Sequence, residues 1–232
     1  MSDRQARKQD IKRRAKQPPS GPPDKCCAFG CSRLTQRSSG KGLSETHCKQ
    51  HVEFHRRHGS YWKKSYSSVE LAPYRKAAHS WLRSRSNDPQ VQRVIAALDA
   101  VLADSGRSVV AHNLRGLSPE RRARIALARV RDVGIKGGRL LEITLAIKAI
   151  MSDLGPRADP EFMQVQIAKL IHRLASGTHK THSGFPIRSK YPRSEGRVMR
   201  VLGHEVEDIA GIAADAEAVR EVIINVKVAA AA

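Results

Sequence analysis

Apolar side chains are sparse over the first 66 residues and then recur at spacings of three and four, the period of helices that bury one face. Val91, Val94, Ile95, Leu98, Val101 and Leu102 form one such stripe, ending before Gly106. Met163, Ile167, Leu170, Ile171 and Leu174 form another, ending before Gly177. A glycine just past the last apolar position is a helix stop. The starts are marked as clearly: Asp88-Pro89, Ser118-Pro119 and Asp159-Pro160 each set an N-cap side chain before a proline at the first helical position. The cap satisfies one orphan N–H and the proline removes another. Between these helices, residues 119–133 (PERRARIALARVRDV) predict a short helix with Ala123, Ile125, Leu127 and Val130 among five arginines. Residues 140–154 (LLEITLAIKAIMSDL) are apolar nearly all round and predict the central buried helix of a bundle. Gly134, Lys136, Gly137 and Gly138 join the two. An antiparallel hairpin is favoured here over a helix-turn-helix, because residues 140–154 lack the exposed polar side of a recognition helix.

The predicted fold is therefore mainly α, a small N-terminal module poor in apolar residues and holding all four cysteines, followed by a helical bundle. Residues 1–25 are rich in Arg, Lys, Gln and Pro and can bury no core, so they predict a disordered basic arm and a Pro-rich spacer. The module spans 26–66 and the bundle 67–176. Residues 177–200 hold two prolines and three glycines and predict a basic loop. Residues 201–232 are acidic and alanine-rich, with apolar residues from Val206 to Val226. They predict one or two C-terminal helices, available for self-association or a protein partner.

Charge sharpens this outline. Lys and Arg number 42 against 22 Asp and Glu, a net charge of +20 with a pI near 10.5. A surplus that large and one-signed predicts a polyanionic partner, nucleic acid before membrane, since the apolar helices resemble core builders rather than basic amphipathic ones. No run of eighteen apolar residues exists to span a bilayer. The first 66 residues carry sixteen Lys and Arg against five Asp and Glu. Within them, residues 52–66 (VEFHRRHGSYWKKSY) interleave cations with Phe54, Tyr61, Trp62 and Tyr66, four of the ten aromatics in the chain. That mixture can set cations on phosphates and rings on sugars or bases, or turn Phe54 and Trp62 inward as a hydrophobic plug. The candidate nucleic-acid contacts are Arg13, Arg14 and Lys16 in the arm, and His55, Arg56, Arg57, His58, Lys63 and Lys64 after the cysteines. Arg121 and Arg122 in the arginine-rich helix, with Arg188, Lys190 and Arg193 in the basic loop, complete the set.

All four cysteines lie between positions 26 and 48. Cys26-x4-Cys31, a sixteen-residue loop and Cys48-x2-His51 supply three thiolates and one imidazole in two pairs, the donor set of a closed tetrahedral Zn²⁺ site. Gly30 would permit the turn of the first pair, and the second pair would open a helix. The chain starts MSDRQARKQD, with no apolar segment to serve as a signal peptide, so a reducing cytoplasmic, nucleoid-associated setting is expected and disulfides are not. Cys26 and Cys27 are adjacent, and only one of them can take the first position.

The stretch built from Cys26, Gly30, Cys31, Gly42, Leu43, Cys48, His51, Arg56, Arg57, His58 and Gly59 resembles a short zinc-binding motif of phage and bacterial mobile-element proteins. The resemblance covers about 35 residues, and Ser44 to His47 are inserted relative to the motif. It implies Cys26 as the first ligand, Zn²⁺ as the metal, and the handling of DNA more than any particular reaction; the expected partner is nucleic acid, DNA before RNA. Some proteins with this motif are HNH endonucleases. That chemistry needs a His base, a metal-holding His or Asp and an orienting Asn. The three asparagines, Asn87, Asn113 and Asn225, do not stand in such a setting, and His112-Asn113 would project apart on any regular element. Gly134 to Gly138 contain Lys136 without the Lys-Ser/Thr of a phosphate loop. His179 and His182 offer a second metal pair only weakly, with no cysteine or carboxylate beside them. The expectation is a binding protein rather than an enzyme, with an HNH-like nuclease or an RNA-binding ribonucleoprotein component as the alternatives.

Overall fold

In the computed structural model the residues described are 5–6, 8–9, 12–13, 25–35, 37–38, 42–43, 46–109, 114, 116–155, 159–175, 180–182, 185–187 and 196–231. They divide into two compact units, Met1–Lys64 and Ser65–Ala232. The fold is mainly helical, with the Cys/His cluster ahead of the bundle. In the first unit, Gln5, Ala6, Lys8, Gln9, Lys12 and Arg13 are helical. Lys25 bridges Leu34, the short strands β1 (Arg37–Ser38) and β2 (Gly42–Leu43) pair antiparallel, and helix α1 (Lys49–His58) follows. No residue of α1 is buried.

The second unit is a bundle of α2 (Ser68–Ser84), α3 (Pro89–Ala103), α4 (Pro119–Asp132), α5 (Gly137–Leu154), α6 (Pro160–Leu174), α7 (Arg197–Ala210) and α8 (Ala216–Ala231). The three cap-proline starts form as the sequence requires. Asp88 accepts from the amides of Gln90 and Val91, Ser118 from Arg121, and Asp159 from Glu161 and Phe162. A fourth start carries a full capping box, in which Ser67 Oγ accepts from the Glu70 amide and the Glu70 carboxylate from the Ser67 amide at 2.7 Å. The Ser67 amide, and then its hydroxyl, hold the Glu70 carboxyl below its ordinary range.

Helix α5 is the axis of the bundle, buried from Leu140 through Ile147 and again from Ala149 to Met151. It packs against α2, α3, α6, α7 and α8. Its one buried carboxylate, Glu142, pairs with Arg139 one turn earlier and with His79 of α2 at 3.3 Å, which meets the need of a buried charge for partners. Two glycines set the closest helix approaches. A Cβ on Gly137 would meet Leu98 Cβ at 2.9 Å, and the Gly137 amide instead donates to Asp99 Oδ1 of α3. A Cβ on Gly203 of α7 would overlap the backbone carbonyl of Gln164 in α6.

The observed bundle differs from the predicted one in three ways. Its boundary is not 176. Leu202, Val206, Ala210, Ala214, Val219 and Val222 belong to the core, so the acidic C-terminal segment completes the bundle instead of standing apart from it. Trp81 donates to Glu221 at 2.5 Å, Arg85 pairs with Glu221, and Lys148 reaches Ala214 O and Glu207. Next, α4 and α5 do not form a side-by-side hairpin. Gly134, at φ 80°, turns the chain out of α4, and α4 packs on α7, α3 and α6. Finally, the basic 177–200 region carries an antiparallel pair, β3 (Lys180–His182) and β4 (Phe185–Ile187), in the register Thr181 to Pro186.

Two outcomes follow for the whole chain. Gly203→Val forces apart α6 and α7 at their contact and is expected to destabilise by about 3 kcal/mol, read as a lower urea midpoint with an unchanged slope. Burial, with the nearby Arg129 charge, pushes the His172 imidazole down to about 4 from 6.5. The folded state then binds fewer protons than the unfolded one. The stability present above about pH 6.5 is lost as pH falls toward 4, with a deficit of about 2 kcal/mol at pH 5. His172→Gln should flatten that part of the profile in denaturation experiments.

Candidate metal centre and basic surface

The cluster is assembled by two local devices. Gly30, at φ 72°, lets the chain turn so that the Cys31 amide donates to Ala28 O, while the Cys26 amide donates to Arg33 O at 2.8 Å. Cys26 and Cys31 thereby face the same side of a knuckle. Cys48 is the N-cap of α1 and His51 its third helical residue, one turn further on. Cys48 makes no side-chain capping bond, so its sulfur is left for the cluster, where the positive end of the helix favours a thiolate.

Cys26 Sγ and Cys48 Sγ each lie 3.3 Å from His51 Nδ1, and Cys31 Sγ lies 4.0 Å from Cys48 Sγ. The four ligand atoms are all within 4.8 Å of one another. A tetrahedral zinc with ordinary bond lengths sets sulfurs about 3.8 Å apart and sulfur and nitrogen about 3.6 Å apart, so the observed set fits around one ion. Cys26 and Cys48 are buried, and the group can hold a metal ion. Burial acts to raise the Cys26 thiol, but backbone hydrogen bonds at Cys48 and Ala28 outweigh it and bring the thiol down to about 6. Cys31 is raised: a backbone hydrogen bond at Arg33 lowers it, but burial and the neighbouring sulfurs prevail. Cys27 is exposed and is not one of the cluster residues, its amide donating to Thr46 O.

Around the cluster the rings sort themselves. Tyr61 stacks on His47 at 3.7 Å and on His55 at 4.1 Å, and Phe54 lies against His58 at 4.3 Å. Burial, then the charges of His51 and His55, pushes His47 down, toward the neutral ring that stacks. The inward plug expected of Phe54 and Trp62 is not what forms, because Trp62 is 78 % exposed. Phe54, His47, His55 and His58 are all half-buried.

The expected nucleic-acid contacts fall in both units. In the first, Arg13, Arg56, Arg57 and Lys64 are exposed and Lys63 is half-buried. His55 and His58 are committed to the ring contacts above. In the second, Arg121 is exposed, whereas Arg122 is half-buried with its Nε enclosed. Two other arginines of α4 serve the fold. Arg129 is buried and donates to Ala175 O, and Arg131 donates to Leu102 O and Ala103 O at the end of α3. Arg14, Lys16, Arg188, Lys190 and Arg193 lie outside the described residues, as do His112, Asn113 and His179. Sequence reasoning passed over Phe29, which is fully exposed at the knuckle turn, and the exposed Lys25, Arg33 and Lys49. Position was the available signal for Phe29, since it stands between two ligands where nothing apolar can cover it.

Comparison of the chain with protein-family models, with curated proteins and with solved structures gave no match.

The geometry predicts one tetrahedrally bound ion per chain. Elemental analysis should find it in the purified protein, and Cys26→Ser or Cys48→Ser should abolish it. Cys27→Ser should retain it. Loss of metal in Cys27→Ser, with retention in Cys26→Ser, would reassign the first ligand.

Proposed function

We propose that this chain is a zinc-containing, non-catalytic nucleic-acid-binding protein of phage or bacterial mobile-element type, acting in the cytoplasm and favouring DNA over RNA. The observation that carries the reading is the charge: a surplus of twenty positive charges, eleven of them in the first 66 of the 232 residues, where the Cys/His cluster sits. Three sulfurs and one imidazole nitrogen form a closed donor set, which suits structural Zn²⁺ and leaves no open position for catalysis. The cations on and after α1 are then held in place by a metal instead of a core. Preference for DNA and the mobile-element setting are supported by the motif resemblance alone. Among the described residues no helix is long and apolar enough to cross a membrane.

Phosphate contact has a quantitative signature. Each neutralised phosphate releases a counterion, so six to ten contacts lose about a thousandfold or more in affinity between 50 and 200 mM salt. Fluorescence anisotropy with a labelled DNA duplex should show that slope, and deleting residues 1–17 should flatten it. Replacing Arg56, Arg57, Lys63 and Lys64 together by Ala should weaken binding by several kcal/mol at low salt, with roughly 1 to 3 kcal/mol for each charge-assisted contact and some loss to non-additivity. DNA should stay intact with Mg²⁺ or Mn²⁺ present. Metal-dependent nicking lost on a single His→Ala change would replace this reading with the nuclease, and absent or salt-insensitive binding to both DNA and RNA would replace it with an assembly role.

A further inference from the structure

Trp62 is exposed by construction. On its N-terminal side Tyr61 is locked against His47 and His55, and Gly59, at φ 79°, ends α1. Ser60 is buried, and its Oγ accepts from the amides of both Trp62 and Lys63, at 3.4 and 3.1 Å. The backbone through Trp62 is thus fixed on both sides while the indole remains 78 % exposed. Its neighbours in sequence are cationic, with Arg56 and Arg57 in the last turn of α1 and Lys63 and Lys64 directly after it. Phe29, at the tip of the knuckle in the same unit, is the second ring left in water.

Cations alone bind the phosphates of any nucleic acid. An exposed ring on a held backbone adds a contact that a duplex cannot use, because the base faces of a duplex are covered by their neighbours and those of a single strand are open. We propose that Trp62, with Phe29 as a second ring, is a stacking platform for unpaired bases, and that the preferred ligand of this unit is single-stranded nucleic acid. Its phosphates are met by Arg56, Arg57, Lys63 and Lys64. The proposal rests on the nucleic-acid reading above and narrows it to a substrate class.

Intrinsic fluorescence tests it. The chain has two tryptophans, and Trp81 is 6 % exposed and hydrogen-bonded to Glu221 in the other unit, so Trp62 supplies the solvent-exposed emission. The full chain, with its metal as purified, is titrated with oligothymidylate, with oligouridylate and with a duplex of equal length. Both single strands should quench the exposed emission, and the duplex should not. Trp62→Ala should weaken single-strand binding by about tenfold or more while duplex affinity and metal content stay the same. Trp62→Phe should restore most of the loss, and Phe29→Ala should show a smaller loss of the same kind. Tight single-strand binding with unmoved emission, or equal losses for strand and duplex in Trp62→Ala, would overturn the stacking platform and leave nucleic-acid binding standing. Binding to none of the three nucleic acids would overturn both, as would a Trp62 response confined to anionic phospholipid vesicles, which would assign the surface to a membrane.

Discussion

Helix α5 has no side to give to water. Eleven of its residues from Leu140 to Met151 are buried, among them Leu, Ile and Met side chains on every face, and each must be covered by another helix. A helix of this kind dictates the architecture, since a shell of helices is the arrangement that removes all its apolar surface from solvent. The shell is drawn from both sides of it in sequence, α2 and α3 before it and α6, α7 and α8 after it. The polar ties follow from the same geometry. Tyr74 of α2 donates to Asp153 at the end of α5, and Lys227 of α8 pairs with the same carboxylate at 3.1 Å. That arrangement raises the Tyr74 hydroxyl to about 12, through burial first and then the hydrogen bond.

The first unit obeys the opposite constraint. Its helix α1 has no buried residue, and few of the described side chains around it are apolar. Short helices are marginal in water unless something external holds them. Here the holding is done at the two ends. Cys48 and His51 tie the first turn to the knuckle, and Gly59 closes the last turn with its amide on His55 O at 2.7 Å. Ring stacking of Tyr61 with His47 and His55 takes the place of a core. A metal in the cluster would couple these pieces, as it does in small domains whose metal affinity is also their folding energy.

What the sequence disclosed and what it hid divide along the range of the interactions. The helix starts at Asp88, Ser118 and Asp159 depend on groups two or three residues away, and the four cluster residues depend on spacing, so both were legible. The all-round apolar character of residues 140–154 also fixed its place in the bundle. The membership of α7 and α8 was hidden, because an amphipathic stripe such as Val206, Val219 and Val222 reads the same whether it meets its own core or another chain. The direction of Trp62 was hidden for a related reason. Histidines at 47 and 55 give no hint in sequence that they will stack on Tyr61 and leave the indole outside. In α4 five arginines looked alike, yet Arg129 is buried on a carbonyl and Arg131 caps α3, roles that depend on where neighbouring helices end.

The bond from Trp81 to Glu221 joins residues 140 positions apart. Contacts of such separation close late, and a fold that relies on them forms slowly. At ordinary rates of translation the ribosome needs on the order of ten seconds to add the intervening stretch. In the later part of that interval α2 and α5 have both been made without α8 to cover them. The Cys/His cluster, by contrast, joins residues at most 25 positions apart, Cys26 and His51, and is complete before the bundle has begun. The nascent chain therefore passes through a period in which its metal-binding end can be finished while its core is still open, and that open core is the part of the molecule on which chaperones and proteases would act.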